Sequence, residues 1–117
     1  MDKEAMKQRT KQFALRVIRL VESLPTGRTA EVIGRQLLRS GTSVGANYRA
    51  ACRAKSTADF ISKMGTVEEE ADESLFWMEL LVEAGTVPAK RLEALMQEND
   101  ELLAIVVASI NTAKRRK

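Results

Sequence analysis

The chain has 117 residues, 44% of them apolar and only 4% aromatic, with 19 basic side chains against 16 acidic ones and no histidine. That length holds one domain with a modest core. Without histidine there can be no zincin motif, no Glu-x-x-His pair of a di-iron bundle and no Ser–His or Cys–His catalytic arrangement. The single cysteine, Cys52, cannot form an internal disulfide, so a reducing cytoplasm is the expected location. Its place on the flank of an apolar stripe predicts a buried, inert thiol. No apolar run follows Met1, and none approaches the length of a membrane span, so neither a signal peptide nor a membrane partner is expected.

A net charge of +3 and a pI near 9.2 are mildly basic, and the distribution says more than the total. Residues 29–55 carry five basic groups against Glu31 alone, whereas residues 56–84 carry Lys63 against eight acids. Two neighbouring segments of opposite sign have reason to lie together, within a subunit or between subunits.

Read in chain order, the apolar residues recur with a four-three step that marks helices packed in a bundle. The first helix is expected over about 2–24, with Met6, Thr10, Phe13, Val17, Leu20 and Leu24 on its seam. Pro25-Thr-Gly27 then supplies turn chemistry. Thr29 is the expected N-cap of a second helix over 29–54, with Ile33, Leu37, Gly41, Val44, Tyr48 and Ala51 facing inward. Gly41 and Gly45 form a Gly-x-x-x-Gly step that lets a neighbouring helix approach. A phosphate-binding loop would need a preceding strand and a Gly-Lys-Ser/Thr ending, and neither is present. Ser56-x-x-Asp59 is a capping box that starts a third helix over 57–84. Its seam is Phe60, Met64, Val67, Ala71, Ser74, Met78 and Leu81, with Gly85 at C′. The fourth helix, over 88–113, begins near Pro88 and carries Leu92, Met96, Asn99, Leu103, Val106, Ile110 and Ala113 on its seam, where Asn99 would fix register. Four such helices joined by short connections predict an all-α, antiparallel up-and-down four-helix bundle in a single domain.

Two surfaces of these helices invite partners. On the second helix Arg35, Arg39, Arg49 and Arg53 fall within an arc of about 80°, opposite the seam. A polyanion could lie along that row, helped by Arg28 and by Arg16 and its basic neighbours on the first helix. With no interleaved aromatic for base stacking, the contacts would be independent of sequence. On the third helix, Leu75-Phe-Trp-Met-Glu-Leu-Leu-Val82 is apolar nearly all round. Phe76, Trp77 and Leu80 project away from the bundle and need a second burial partner, which predicts a homo-oligomer with Glu73 at the edge of its interface.

The residues Arg35-Gln-Leu-Leu-Arg-Ser-Gly-Thr-Ser-Val-Gly-Ala-Asn47-Tyr-Arg, Lys55-Ser-Thr-Ala-Asp-Phe60 and Glu70-Ala-Asp-Glu-Ser-Leu-Phe-Trp-Met-Glu-Leu-Leu81 resemble the bacterial family named after 23S ribosomal RNA intervening-sequence proteins. The likeness covers about residues 10 to 112. It implies an up-and-down bundle assembled into a ring of five, a homopentamer, with no catalytic residues assigned. Some members of that family are encoded within insertions in the large-subunit rRNA gene. A related branch serves as the accessory protein of diversity-generating retroelements, associating with nucleic acid and a reverse transcriptase. Many relatives carry Asn-Ile-Ala-Glu-Gly where this chain has Asn47-Tyr-Arg-Ala-Ala51, so the acid is lost and Arg49 gained.

One enzymatic alternative survives composition. Glu70-x-x-Glu73 and Glu98-x-x-Glu101 loosely resemble the paired acids with which all-helical nucleoside-triphosphate pyrophosphatases hold magnesium. Both pairs lie off their seams, where acids are commonly solvated or paired with arginines, here Arg49 and Arg53. The sequence therefore favours a non-enzymatic, cytoplasmic, oligomeric bundle that binds RNA, DNA or a ribonucleoprotein component such as a reverse transcriptase, without metal or cofactor. A protein-directed scaffold, in which the arginine row serves assembly, is the alternative.

Overall fold

Each helix starts and stops where local chemistry dictates. In the computed structural model, which describes residues 2–116, Asp2 caps the first helix by accepting the Glu4 backbone N–H at 3.2 Å. Helix α1 (Lys3–Glu22) is followed by α2 (Arg28–Ala51), α3 (Thr57–Glu83) and α4 (Ala89–Arg115). The expected cap at Thr29 does not form: Gly27, at φ 154°, is the N-cap, and Thr29 already lies in the first turn. Only glycine adopts that backbone freely, so the chain reverses one residue pair earlier than a threonine cap would allow.

The Ser56 box is present. Ser56 Oγ accepts the Asp59 N–H at 3.0 Å, and Asp59 reaches back to the Lys55 N–H at 3.0 Å. At the far end of α3, Gly85 (φ 76°) closes a Schellman motif, with the Gly85 N–H on the Val82 carbonyl and the Thr86 N–H on that of Leu81.

The helices pack in sequence order, α1 on α2 on α3 on α4, and α4 closes more lightly on α1. The result is the expected four-helix bundle, 48 Å long and about 20 Å across. The basic α2 and acidic α3 share the most extensive contact, within one chain.

The core follows the predicted seams except at Leu24, which lies past the end of α1, and at Phe60, Met96 and Leu103, all four only half-buried. Leu95 and Leu102, not Met96 and Leu103, complete the buried line of α4, while Met96 and Leu103 lie half-buried beside it. Leu95 and Leu102 flank Glu98 on the helix surface, and Glu98 is the partner of Arg9 on α1, so α4 is rotated toward α1. Phe60, at the start of the α3 seam, is only half-buried. The α2 glycines do let α1 approach: a Cβ on Gly41 would meet both Val17 methyls at 2.8 Å, and one on Gly45 would meet the Thr10 backbone oxygen at 3.3 Å. Asn99 is fully buried and donates from Nδ2 to the Ala71 carbonyl at 2.9 Å, which ties α4 to α3 in one register. Nearby, Ser74 donates to Ser40 Oγ at 2.9 Å between α3 and α2.

Candidate nucleic-acid interface

The arginine row on α2 divides into two halves with different fates. Arg39 is spent inside the molecule. Its Nη1 lies 3.3 Å from both Glu70 oxygens and its Nη2 2.5 Å from Glu73, which also accepts Trp77 Nε1 at 3.1 Å. Arg39 and then Trp77 hold the Glu73 carboxyl below its usual range, and the two glutamates push Arg39 further up. Glu70 and Glu73, two of the acids expected to face Arg49 and Arg53, are thus taken by Arg39 of the same chain, because the antiparallel register sets it opposite them. Arg35 makes a 3.0 Å pair with Glu31 within α2, both side chains standing well out in solvent where such a pair contributes little.

Arg49 and Arg53 are exposed and enter none of the ion pairs among the described residues. They lie at the end of the bundle where the start of α1, the α2–α3 connection and the end of α4 converge. That end also carries Lys3, Lys55, Lys114, Arg115 and Arg116, all exposed; Lys117 lies outside the described residues. The acids nearby are already engaged. Asp2 caps α1, Glu4 pairs with Lys7 at 3.1 Å, and Asp59 receives Lys63 Nζ at 2.7 Å. Lys63, then the Lys55 N–H, keep the Asp59 carboxyl below its ordinary value.

Arg28 and Arg16 are not brought to this site. Arg28 stands at the other end of α2, about 31 Å away along the axis. Arg16 lines a separate groove between α1 and α4 with Arg19 and Arg91, where Arg91 donates to Ser23 Oγ. Between the same helices Arg9 forks onto Glu98, at 2.8 Å through both Nε and Nη2, and onto Glu101 at 2.6 Å. Each Glu-x-x-Glu pair is therefore clamped by one arginine from the adjoining helix, and the two pairs sit on different helix pairs. No cluster of acids or cysteine positioned to hold a metal ion occurs among the described residues.

The open apolar surface of α3 is smaller than expected, because Trp77 and Leu80 pack part-buried against the core and only Phe76 of the three is exposed. Phe76 is 50% exposed and stacks edge-on against Trp77 at 5.1 Å. Counting along both helices from the Ser40–Ser74 contact places Val32, 54% exposed, level with the Leu80 turn. Glu73 is committed to Arg39 and Trp77 at the margin of this patch.

A family model for 23S rRNA-intervening sequence proteins matches residues 2–108. The chain belongs to that family. A crystal structure of a protein of unknown function from the S23 ribosomal protein family of Bacteroides thetaiotaomicron VPI-5482 is 33% identical and superposes with a TM-score of 0.88. The match covers 95% of this chain and 99% of that one. No curated protein matches the chain. Within the described residues of this intervening-sequence family member, no helix is long and apolar enough to cross a membrane.

The basic end was only half visible in the sequence of this family member. Arg49 and Arg53 stand out as a helical row, but Lys3, Lys55 and the α4 terminus join them only once the bundle's antiparallel order brings three chain segments to one end. That order is itself implied by the short connections, and it was the available signal.

Proposed function

We propose that the chain is a non-catalytic, self-associating helical bundle that holds RNA or DNA through phosphate contacts at its basic end. The concentration of Arg49, Arg53, Lys55, Lys3 and the α4 terminus at one end, with the nearby acids engaged elsewhere, carries this reading. Guanidinium and ammonium groups without carboxylate partners are what a phosphate backbone requires, and they confer affinity without sequence preference.

Self-association through Phe76, Trp77, Leu80 and Val32 would repeat the basic end. In a ring of five whose axis follows the bundles, five such ends share one rim, and weak contacts add through effective concentration. The family's name makes ribosomal intervening-sequence RNA the first probe; a ribonucleoprotein component such as a reverse transcriptase is the corresponding protein partner.

The test is fluorescence anisotropy with mixed-sequence RNA and DNA over about 50 to 200 mM salt. Affinity should fall steeply with salt. Replacing Arg49, Arg53 and Lys55 with glutamate should abolish binding, whereas Arg35→Glu should weaken it only slightly. Unchanged binding by the triple variant would refute the assignment. A protein-directed scaffold is the second reading, favoured by the exposed Val32 and Phe76 and by the commitment of Arg39 to α3; it expects no salt-sensitive binding in any of these proteins.

A further inference from the structure

A cleft of about 700 Å³ opens at the basic end between the first turns of α3 and the last turns of α4. Lys3, Lys55 and Arg116 stand among the residues that line it, and no carboxylate does. Its inner wall includes Phe60 and Ile105. Phe60 occupies a seam position yet is only half-buried, and the α4 residues that line the cleft with it include the small Ala108, Ser109 and Thr112. A half-buried aromatic side chain thus lines the cleft beside three cations that enter none of the ion pairs among the described residues. Two further grooves, of about 370 and 260 Å³, have no aromatic wall.

We propose that this cleft binds a nucleoside phosphate, with the base against Phe60 and the phosphate between Lys3, Lys55 and Arg116. The inference rests on the nucleic-acid reading and narrows it to one chemical unit. A bare anion would use the cations and leave the apolar wall wet. An acyl anion would cover the wall but strand the hydroxyls that punctuate it, and unpartnered polar groups oppose binding. A base satisfies both demands. Ser56 Oγ, which accepts from the Asp59 N–H, keeps its proton to donate; Ser109 Oγ, which donates to the Ile105 carbonyl at 2.9 Å, keeps lone pairs to accept. Stacking on one aromatic face tolerates any base. The same unit occurs as a free nucleotide and as the phosphorylated end of a strand.

The experiment is titration of the isotopically labelled full chain with AMP, adenosine and inorganic phosphate, followed by amide NMR. AMP should shift the amides of Lys55–Phe60 and Ile105–Thr112 in a saturable way, and adenosine and phosphate should each bind at least about tenfold more weakly. Ala108→Trp fills the cleft from an exposed position, and Lys55→Glu reverses one cation; each should weaken AMP by about tenfold or more, with thermal unfolding confirming the fold. Equal binding of phosphate and AMP, or unchanged AMP affinity in both variants, would overturn the proposal. Loss of AMP binding with salt-sensitive RNA binding intact would end this inference and spare the proposed function; AMP binding without RNA binding would do the reverse. Displacement of AMP by a 5′-phosphorylated oligonucleotide, and not by its unphosphorylated twin, identifies the strand end as the source; displacement by neither identifies the free nucleotide.

Discussion

Two helical glycines should respond to the same substitution with opposite signs. Gly65 lies within α3 with nothing within 4 Å of where a Cβ would stand, so Gly65→Ala should simply recover helix propensity, a gain of about 1 kcal/mol. Gly41 in α2 has the same propensity to gain, but its Cβ would stand 2.8 Å from Val17 Cγ1 and Cγ2 and 3.1 Å from Val17 Cβ. Val17 is fully buried, and a β-branched side chain in a helix has one favoured rotamer, so rotating one methyl away brings the other in. Relief requires α1 to shift, and overpacking of this kind costs about 1–3 kcal/mol. With two methyls struck together the upper part of that range applies, leaving a net loss of about 1–2 kcal/mol after the propensity gain. Urea unfolding at fixed protein concentration should show the midpoint rising for Gly65→Ala and falling for Gly41→Ala, with Val17→Ala partly rescuing the latter. A Gly41→Ala chain as stable as the parent, or a double variant showing the plain sum of two losses, would refute the close packing of α1 on α2.

Four further outcomes follow from particular contacts. Arg39→Ala should lower the urea midpoint only slightly, because the Arg39 side chain is itself half-exposed, and should leave RNA affinity unchanged; a loss of affinity matching that of Arg49→Glu would restore the whole row as a binding face. Asn99→Leu trades the Nδ2 hydrogen bond to Ala71 for relief of a buried, unpartnered Oδ1, so it should raise stability by at most about 1 kcal/mol, and a drop in the unfolding midpoint would mean that the hydrogen bond outweighs the orphan oxygen. Glu73, Glu101 and Asp59 have carboxyls held below their ordinary values of 4.5, 4.5 and 3.8, chiefly by Arg39, Gln97 and Lys63 respectively. Their contribution is complete above those ordinary values and disappears as pH falls through the lowered ones, so the thermal midpoint should decline in that acid window, and a rise there would contradict the sign. Phe76→Asp should dissociate any assembly seen by light scattering while leaving helicity intact; an unchanged mass would remove this face from the interface.

The helices were legible because their signals are local. Ser56 and Asp59, or Gly85 with its left-handed backbone, act within a turn or two of themselves. The seams of α1 and α2 were legible as well, since each has one apolar line and no rival. α4 has two, and 100° separates Leu95 from Met96; which one turns inward depends on where α1 sits, and no window of sequence contains that information.

The same limit explains the candidate site. A row of four arginines on one helix looks uniform, yet pairing is decided by register between helices: Arg39 meets glutamates 31 and 34 residues away, whereas Arg49 and Arg53, near the end of α2, run past the acidic stretch of α3. Antiparallel packing explains why. From the Ser40–Ser74 contact, each step toward the end of α2 is a step toward the start of α3, where Lys63 and Asp59 already satisfy each other. Charges that match in the middle of the α2–α3 contact must therefore mismatch at the end, and the surplus there is positive. Counted from sequence the two segments leave acids in excess, five basic groups and Glu31 against eight acids and Lys63, so the local surplus of cations at this end is a matter of position and not of total charge, and it is what a polyanion can reach.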